Sequence, residues 1–220
     1  NLKIFLQSGR IYFMAYKSVE SHEEYLKILE KYKGYKKNTY QSMSLEEKID
    51  FFDGIHTDNV PLFDENGNDT LGTLWDYGEI SKEFIQHPEI FSLEDISKFI
   101  DMLDDNCYQP SFMDDTLKVI RSIIRFQGKD GVIFLLTHLS DVPEQGKEYG
   151  LCDSLRYLIV DDVTFSYLKE AVTLVDSSVQ EFVRQIIDGE VSGLKCLLKY
   201  AGGTELARIH ELKKIISHIP

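Results

Sequence analysis

The stretch from Met113 to Ser140, MDDTLKVIRSIIRFQGKDGVIFLLTHLS, decides the fold class. Its first half places apolar side chains at steps of four, three and four residues, which is the spacing of one face of an α-helix. Gly128 ends that pattern, and a second apolar stripe follows it. The two stripes are Met113, Leu117, Ile120 and Ile124, then Val132, Leu135, Leu136 and Leu139. The stretch therefore predicts two consecutive amphipathic helices with a break at Gly128.

The helical spacing continues on both sides of this stretch. Residues able to cap a helix precede several further stripes: Ser44 with Glu47 as a capping box, Ser92, Asp161 or Asp162, and Ser177. Helix pairs begin near Ser92, Lys129 and Asp162, 37 and 33 residues apart, which is the length scale of two-helix repeats. No repeat motif is shared between the pairs. The prediction is a mainly α fold in which residues 91–220 form a helical domain, either an α-solenoid of stacked helix pairs or an irregular helical bundle.

The first 90 residues have a different character and predict an N-terminal α+β region. KIFLQ and RIYFMAY, both rich in aromatic and branched residues, flank the turn-like pair Ser8-Gly9 and predict a small β-hairpin. A second hairpin is predicted in VPLFDENGNDTLGTLW, residues 60–75, because Asn66-Gly67 is a strong turn dipeptide.

The charge of the chain is high and unevenly spread. The 220 residues carry a net charge of −13. Residues 1–40 balance to +4 and residues 116–220 to −1, whereas residues 41–115 hold nineteen Asp and Glu against three Lys, a balance of −16. Such acidity disfavours nucleic acids and anionic membrane surfaces as partners. A basic protein would be attracted, mainly through faster association.

The cysteines and the N-terminus predict a cytoplasmic protein. Cys107, Cys152 and Cys196 are widely spaced and form no C-x-x-C motif, so neither a disulfide framework nor a zinc knuckle is indicated. The opening NLKIFLQSGRIYFMAYK has no long apolar run and no small-residue cleavage site, so neither a signal peptide nor a membrane span is expected.

No motif for metal, cofactor or catalysis emerges from the sequence. DENGNDTLG, starting at Asp64, alternates carboxylates and amides, but its glycine stands at position four and Trp75 at position twelve. An EF-hand loop needs glycine at position six and glutamate at position twelve. The histidines form no H-E-x-x-H motif, and no phosphate-binding or dinucleotide-binding loop occurs. The expectation is a protein that is not an enzyme and needs no cofactor or metal.

Two aspartate pairs flank one short loop between helical patterns. Asp114 or Asp115 is predicted to stabilise the free amides at the start of the following helix. Asp104 and Asp105 oppose the dipole at the end of the preceding helix, so capping does not explain them. We therefore interpret most of these carboxylates as part of a solvated acidic edge built for a partner.

The stretch from Ile96 to about Asp188 carries a distinctive order of segments. A short helix pattern ends in Asp104-Asp105, Met113 leads TLKVIRSIIRF, and FLLTHL and LCDSLRYLIVDD precede another amphipathic helix. This order resembles the all-helical immunity proteins of bacterial polymorphic toxin and contact-dependent growth inhibition systems. The resemblance covers under half of the chain and rests on the helix pattern. It implies a small acidic protein that binds one cognate toxin, often a nuclease, and blocks its active site.

The acidity and the resemblance lead to the same hypothesis, a cytoplasmic immunity protein whose acidic face covers the basic active site of a toxin. Carboxylates would steer the toxin, and aromatic side chains would anchor it. The residues predicted to contact the partner are Asp64, Trp75, Asp76, Tyr77, Asp104, Asp105, Tyr108, Asp114, Asp115 and Asp161. The alternatives are a metal-dependent hydrolase with Asp104 and Asp115 as ligands, and a helical-repeat scaffold for another partner.

Overall fold

Helices make up nearly all of the regular structure in the computed structural model, which confirms the prediction of a mainly α fold. The structure describes residues 5–7, 10–12, 27, 30, 32, 35–57, 72–103, 110–142, 150–188 and 202–218. Its helices are α1 (Leu45–Thr57), α2 (Thr73–Gln86), α3 (Asp95–Asp101), α4 (Pro110–Gln127), α5 (Lys129–His138), α6 (Gly150–Val160), α7 (Asp162–Ala171), α8 (Ser177–Asp188) and α9 (Gly203–Ser217). Short 3-10 turns lie at Thr39–Ser42, Pro88–Ile90 and Leu139–Asp141.

Two short strands, β1 (Phe5–Gln7) and β2 (Arg10–Tyr12), pair antiparallel with Phe5 opposite Tyr12. They are shorter than the arms predicted for the first hairpin. The predicted turn at Ser8 and Gly9 lies outside the described residues.

The second predicted hairpin is corrected at its C-terminal end. Leu74 and Trp75 belong to α2, and residues 58–71 lie outside the described part of the chain. The physical reason is an apolar stripe at helical spacing, in which Tyr77, Ile80 and Phe84 are all buried.

The chain divides into two compact units. The first takes the described residues up to Gly78, and the second begins at Glu79 and holds the rest of the described chain. The division therefore falls inside α2, and the boundary predicted at residue 90 stays a prediction.

The opening stretch folds as its apolar spacing predicts. Every member of both stripes is buried, so α4 and α5 each turn one apolar face inward. Pro110 occupies the first position of α4, where its missing N–H costs no hydrogen bond. Gly128 separates the two helices with φ of 68° and ψ of −139°, a conformation that glycine adopts without the steric cost of a Cβ atom.

Helices of the second unit contact some of their sequence neighbours and also helices farther along the chain. Contacts run from α3 to α5 and from α5 to α7, and likewise from α4 to α6 and from α6 to α9. Each amphipathic helix thereby buries its apolar stripe on more than one neighbour.

An aromatic cluster fixes the start of the second unit. Phe84, Phe91 and Phe99 meet edge to face, with ring centroids 5.0, 5.4 and 5.9 Å apart, and each ring is buried. Two polar side chains of α4 reinforce this region. The Ser122 hydroxyl donates to the Ile85 carbonyl at 2.6 Å, and the Gln127 amide donates to the Phe91 carbonyl at 3.1 Å.

Side chains cap several helix ends. The capping box predicted at Ser44 and Glu47 is confirmed, since the Ser44 amide donates to the Glu47 carboxylate at 2.7 Å and the Glu47 amide to the Ser44 hydroxyl at 3.2 Å. After α7, the buried Gln180 side-chain amide donates to the carbonyls of Val172 and Val175, each at 3.0 Å. Helix-end carbonyls need such donors once water is excluded.

Replacing Gln180 with leucine is expected to lower the free energy of unfolding by about 1–3 kcal/mol, because both carbonyls lose a donor in a buried setting. Urea denaturation at neutral pH measures the change. The matched control is Gln185→Leu on the same helix, where the side chain is only partly buried and donates to Glu181. Equal losses in the two variants would contradict a capping role for Gln180.

Candidate functional site

The second unit carries carboxylates on several helices. The groups that surround each carboxylate determine whether it is ionised and whether a partner can reach it. Asp114 and Asp115 lie in the second turn of α4, because the helix begins at Pro110. The prediction that one of them caps the helix was therefore wrong. Both carboxylates instead contact Lys118, at 2.7 Å from Asp114 and 3.0 Å from Asp115.

Asp114 also joins α4 to α6. The hydroxyl of Tyr157 donates to its carboxylate at 2.9 Å. Burial and this hydrogen bond raise the pKa of Tyr157 to about 12, so the phenol remains a hydrogen-bond donor at neutral pH. Although partial burial opposes it, the hydrogen bonds from Lys118 and Tyr157 lower the pKa of Asp114, which keeps that carboxylate ionised.

Asp153 stands beside Asp114 on the neighbouring helix. Burial raises its pKa, Arg156 opposes that effect, and the Asp114 charge adds to it. A raised pKa here means that the ionised form of Asp153 is poorly compensated. We call Asp114, Asp153 and Tyr157 together the α4–α6 face.

A second pair of neighbouring carboxylates lies at the ends of α3 and of the 3-10 turn after α5. Asp101 ends α3, and Asp141 ends the 3-10 turn after α5. The loss of some solvation and the Asp141 charge raise the pKa of Asp101. Both residues are exposed, so the Asp101–Asp141 pair presents like charges on the surface.

Asp161 has a structural role. Its carboxylate caps α7 by accepting from the amides of Val163 at 3.1 Å and Thr164 at 3.0 Å. The same carboxylate lies 3.4 Å from Arg121 and 3.3 Å from Arg125 on α4. Burial works against ionisation, but the Thr164 amide and the two guanidinium groups outweigh it and lower the Asp161 pKa. Asp161 or Asp162 was predicted to cap this helix, and the structure shows that Asp161 is the cap. Much of the Asp161 charge is neutralised within the chain.

Two of the predicted contact residues lie in the interior of the first unit. Asp76 is buried and accepts from the Tyr35 hydroxyl at 2.7 Å and from the amides of Asn38 and Tyr40 at 2.8 and 3.3 Å. A buried carboxylate requires such donors. Its side chain is therefore unavailable to a partner in this structure, contrary to the predicted surface role.

The aromatic residues that flank Asp76 differ in exposure. Tyr77 is buried and stacks on Phe52 with ring centroids 4.7 Å apart, so it too lies in the interior. Trp75 is 50 % exposed, and the Lys37 ammonium lies 3.7 Å from its ring centroid. Trp75, Asp76 and Tyr77 were all predicted to contact the partner, and of these three only Trp75 is exposed enough to anchor it.

The remaining predicted contact residues lie outside the described part of the chain. They are Asp64, Asp104, Asp105 and Tyr108. Asp101 and Asp153 were missed as candidates because their environment depends on which helices lie side by side. The only hint in the sequence was the position of Asp101 near the Asp104-Asp105 pair.

Two further properties bear on the kind of site present. Within the described residues, no group of three His, Cys, Asp or Glu side chains is placed to hold a metal ion. Among those same residues, no helix combines the length and apolar character needed to cross a membrane.

In comparisons with protein-family models, curated proteins and solved structures, nothing matches this chain.

Proposed function

We propose that this chain is an immunity protein of a bacterial toxin system, which neutralises a cognate basic toxin by covering its active site. The observation that carries the proposal is the crowding of carboxylates from different helices, Asp101 with Asp141 and Asp114 with Asp153. Burial raises the pKa of Asp101 and of Asp153, and the charge of the neighbouring carboxylate adds to that effect in each case, so the ionised forms of these two residues are disfavoured. A cationic partner surface would remove that penalty on binding.

A nuclease is the toxin class that fits this chemistry best. Its active site must be electropositive to hold a phosphate backbone, and an acidic face complements it in charge. Fast capture also suits the task, because electrostatic steering raises association rates well above those of neutral pairs. The proposed complex forms in the cytoplasm and requires neither a cofactor nor catalysis by this chain.

The helix contacts support the finer proposal of an α-solenoid. Helices α3, α5 and α7 contact in series, and α4 and α6 begin a second series, as expected for helix pairs stacked on one another. Asp114 and Asp153 belong to neighbouring members of the second series. Stacking of this kind places residues from successive pairs on one continuous surface, which is how such folds bind proteins.

The direct test is capture followed by an activity assay. The tagged chain is incubated with lysate of the organism that encodes it and washed at low and at high salt. We expect one basic protein to be retained, more strongly at low salt, and its nuclease activity to be lost when this chain is added back. A retained protein whose activity is unaffected would favour a scaffold instead, and retention of nothing would overturn the proposal.

The double variant Asp101→Asn/Asp141→Asn is expected to weaken binding of the captured toxin by about ten-fold. The same variant is expected to be more stable at neutral pH. In the wild-type chain the folded-state pKa of Asp101 is raised, so ionised Asp101 lowers the free energy of unfolding above that pKa. Below the unfolded-state pKa this cost is absent, and the variant should then lose its advantage in stability. Titration calorimetry and urea denaturation measure the two effects.

The control for that variant is Glu170→Gln/Glu211→Gln. It also removes two negative charges from the second unit, where these glutamates form exposed ion pairs with Lys129 and Lys169. Such pairs contribute little to stability. An equal loss of affinity in both double variants would mean that net charge, and not the Asp101–Asp141 pair, drives binding.

A further inference from the structure

Glu205 on α9 makes two contacts at once. One carboxylate oxygen accepts from the Gly202 amide at 2.6 Å, which caps the helix, and the other accepts from Nε of Arg156 at 3.0 Å. The Gly202 amide and Arg156 lower the pKa of Glu205 despite some burial, so the carboxylate remains ionised. Arg156 belongs to α6, and this ion pair therefore ties α9 to α6.

Arg156 has another carboxylate within its reach. Asp153 precedes it by three residues on the same helix, a spacing at which opposite charges face each other on a helix surface. Within the described residues, no hydrogen bond or ion pair joins the two side chains, although Arg156 acts on Asp153 through its charge. Asp153 is half-buried next to Asp114 and has no hydrogen-bond donor among those residues.

We propose that Glu205 holds the Arg156 guanidinium away from Asp153, so that docking of α9 keeps the Asp153 carboxylate of the α4–α6 face without a hydrogen bond or ion pair from Arg156. Arg156 then has two alternative partners, Glu205 while α9 is docked and Asp153 when that contact is lost. The significance of this device for binding rests on the proposed function, in which the α4–α6 face meets a basic toxin. Arg156 and Glu205 act as positioning residues for the charge of that face.

The exchange requires little rearrangement. The Arg156 side chain is 44 % exposed, and Glu205 holds it through a single hydrogen bond from Nε. Exposed ion pairs of this kind are weak, and long side chains change rotamer easily. Loss of the Glu205 charge is therefore sufficient to redirect the guanidinium.

The decisive variant is Glu205→Gln, because glutamine can still accept from the Gly202 amide in a capping box but carries no charge for Arg156. Carbon-detected NMR titration of the side-chain carboxyls measures the Asp153 pKa without any partner. We expect it to fall by about 1 or more, since a cation that moves close to a carboxylate lowers its pKa by that amount. Adding Arg156→Gln to the variant is expected to abolish the fall.

Glu211→Gln is the matched control, because Glu211 lies on the same helix and pairs with Lys169 at 3.1 Å rather than with Arg156. It should leave the Asp153 pKa unchanged. An unchanged Asp153 pKa in Glu205→Gln would overturn the exchange, whatever the fate of the proposed function. A fall in that pKa without loss of toxin affinity would retain the exchange and remove the α4–α6 face from the binding surface.

Discussion

Replacing Phe99 with alanine is expected to lower the free energy of unfolding by about 3–5 kcal/mol, the range found for large buried aromatic residues. Phe99 is fully buried and contacts both Phe84 and Phe91 edge to face. Alanine would remove the ring, leave a cavity, and end two aromatic contacts that each contribute about 0.5–1.5 kcal/mol beyond area burial. Urea denaturation followed by circular dichroism measures the loss.

Two controls separate burial from side-chain type. Phe99→Leu keeps most of the volume and should cost clearly less than the alanine variant. Phe126→Ala makes the same chemical change at a ring that is 56 % exposed, and we expect it to change stability by no more than about 0.5 kcal/mol. If Phe99→Ala and Phe126→Ala cost the same, the aromatic cluster does not hold this unit together.

The second large effect is expected at Asp161, where alanine should cost about 2 kcal/mol. The substitution removes the cap of α7, which alone contributes about 1 kcal/mol. It also leaves Arg121 and Arg125 without the carboxylate that lies beside both of them. Asp161→Asn distinguishes the two contributions, because asparagine caps a helix as well as aspartate but carries no charge. We expect it to lose less than half of what alanine loses.

The contribution of Asp161 also has a defined pH dependence. Its folded-state pKa is lowered, so its stabilisation is fully present above the unfolded-state pKa of about 3.9. The stabilisation is lost as the pH falls through the lower folded-state pKa. The stability difference between wild type and Asp161→Asn should therefore shrink below about pH 4. A difference that stays constant in that acidic range would show that the charge of Asp161 is not involved.

Local signals in the sequence predict the helical elements well, because each depends on residues close in the chain. The stripe from Met113 to Ile124, the break at Gly128 and the cap at Asp161 all arise within a few residues. The start of α4 was misjudged, because Asp114 and Asp115 resemble caps whereas Pro110 marks the first helical position. The start of α2 was missed, because the Asn66-Gly67 turn signal outweighed the helical spacing of Tyr77, Ile80 and Phe84.

The candidate site was less predictable because it depends on contacts between helices. Tyr157 donates to a carboxylate 43 residues away, and Asp101 and Asp141 come from separate helix pairs. Asp76 is the opposite case. It was predicted to lie on the acidic surface, but it is buried and accepts hydrogen bonds from groups 36 to 41 residues earlier in the chain. Composition gives the sum of charges, whereas helix packing decides which of them face each other.

The single residue between α4 and α5 bears on how the protein folds. These helices pack against each other, and closing a contact across one residue costs little chain entropy compared with closing a long loop. Contacts that are local in sequence also correlate with fast folding. The α4–α5 pair is therefore suited to be a folding nucleus on which later helices assemble, and Gly128 would then govern the rate of folding as well as the geometry of the turn.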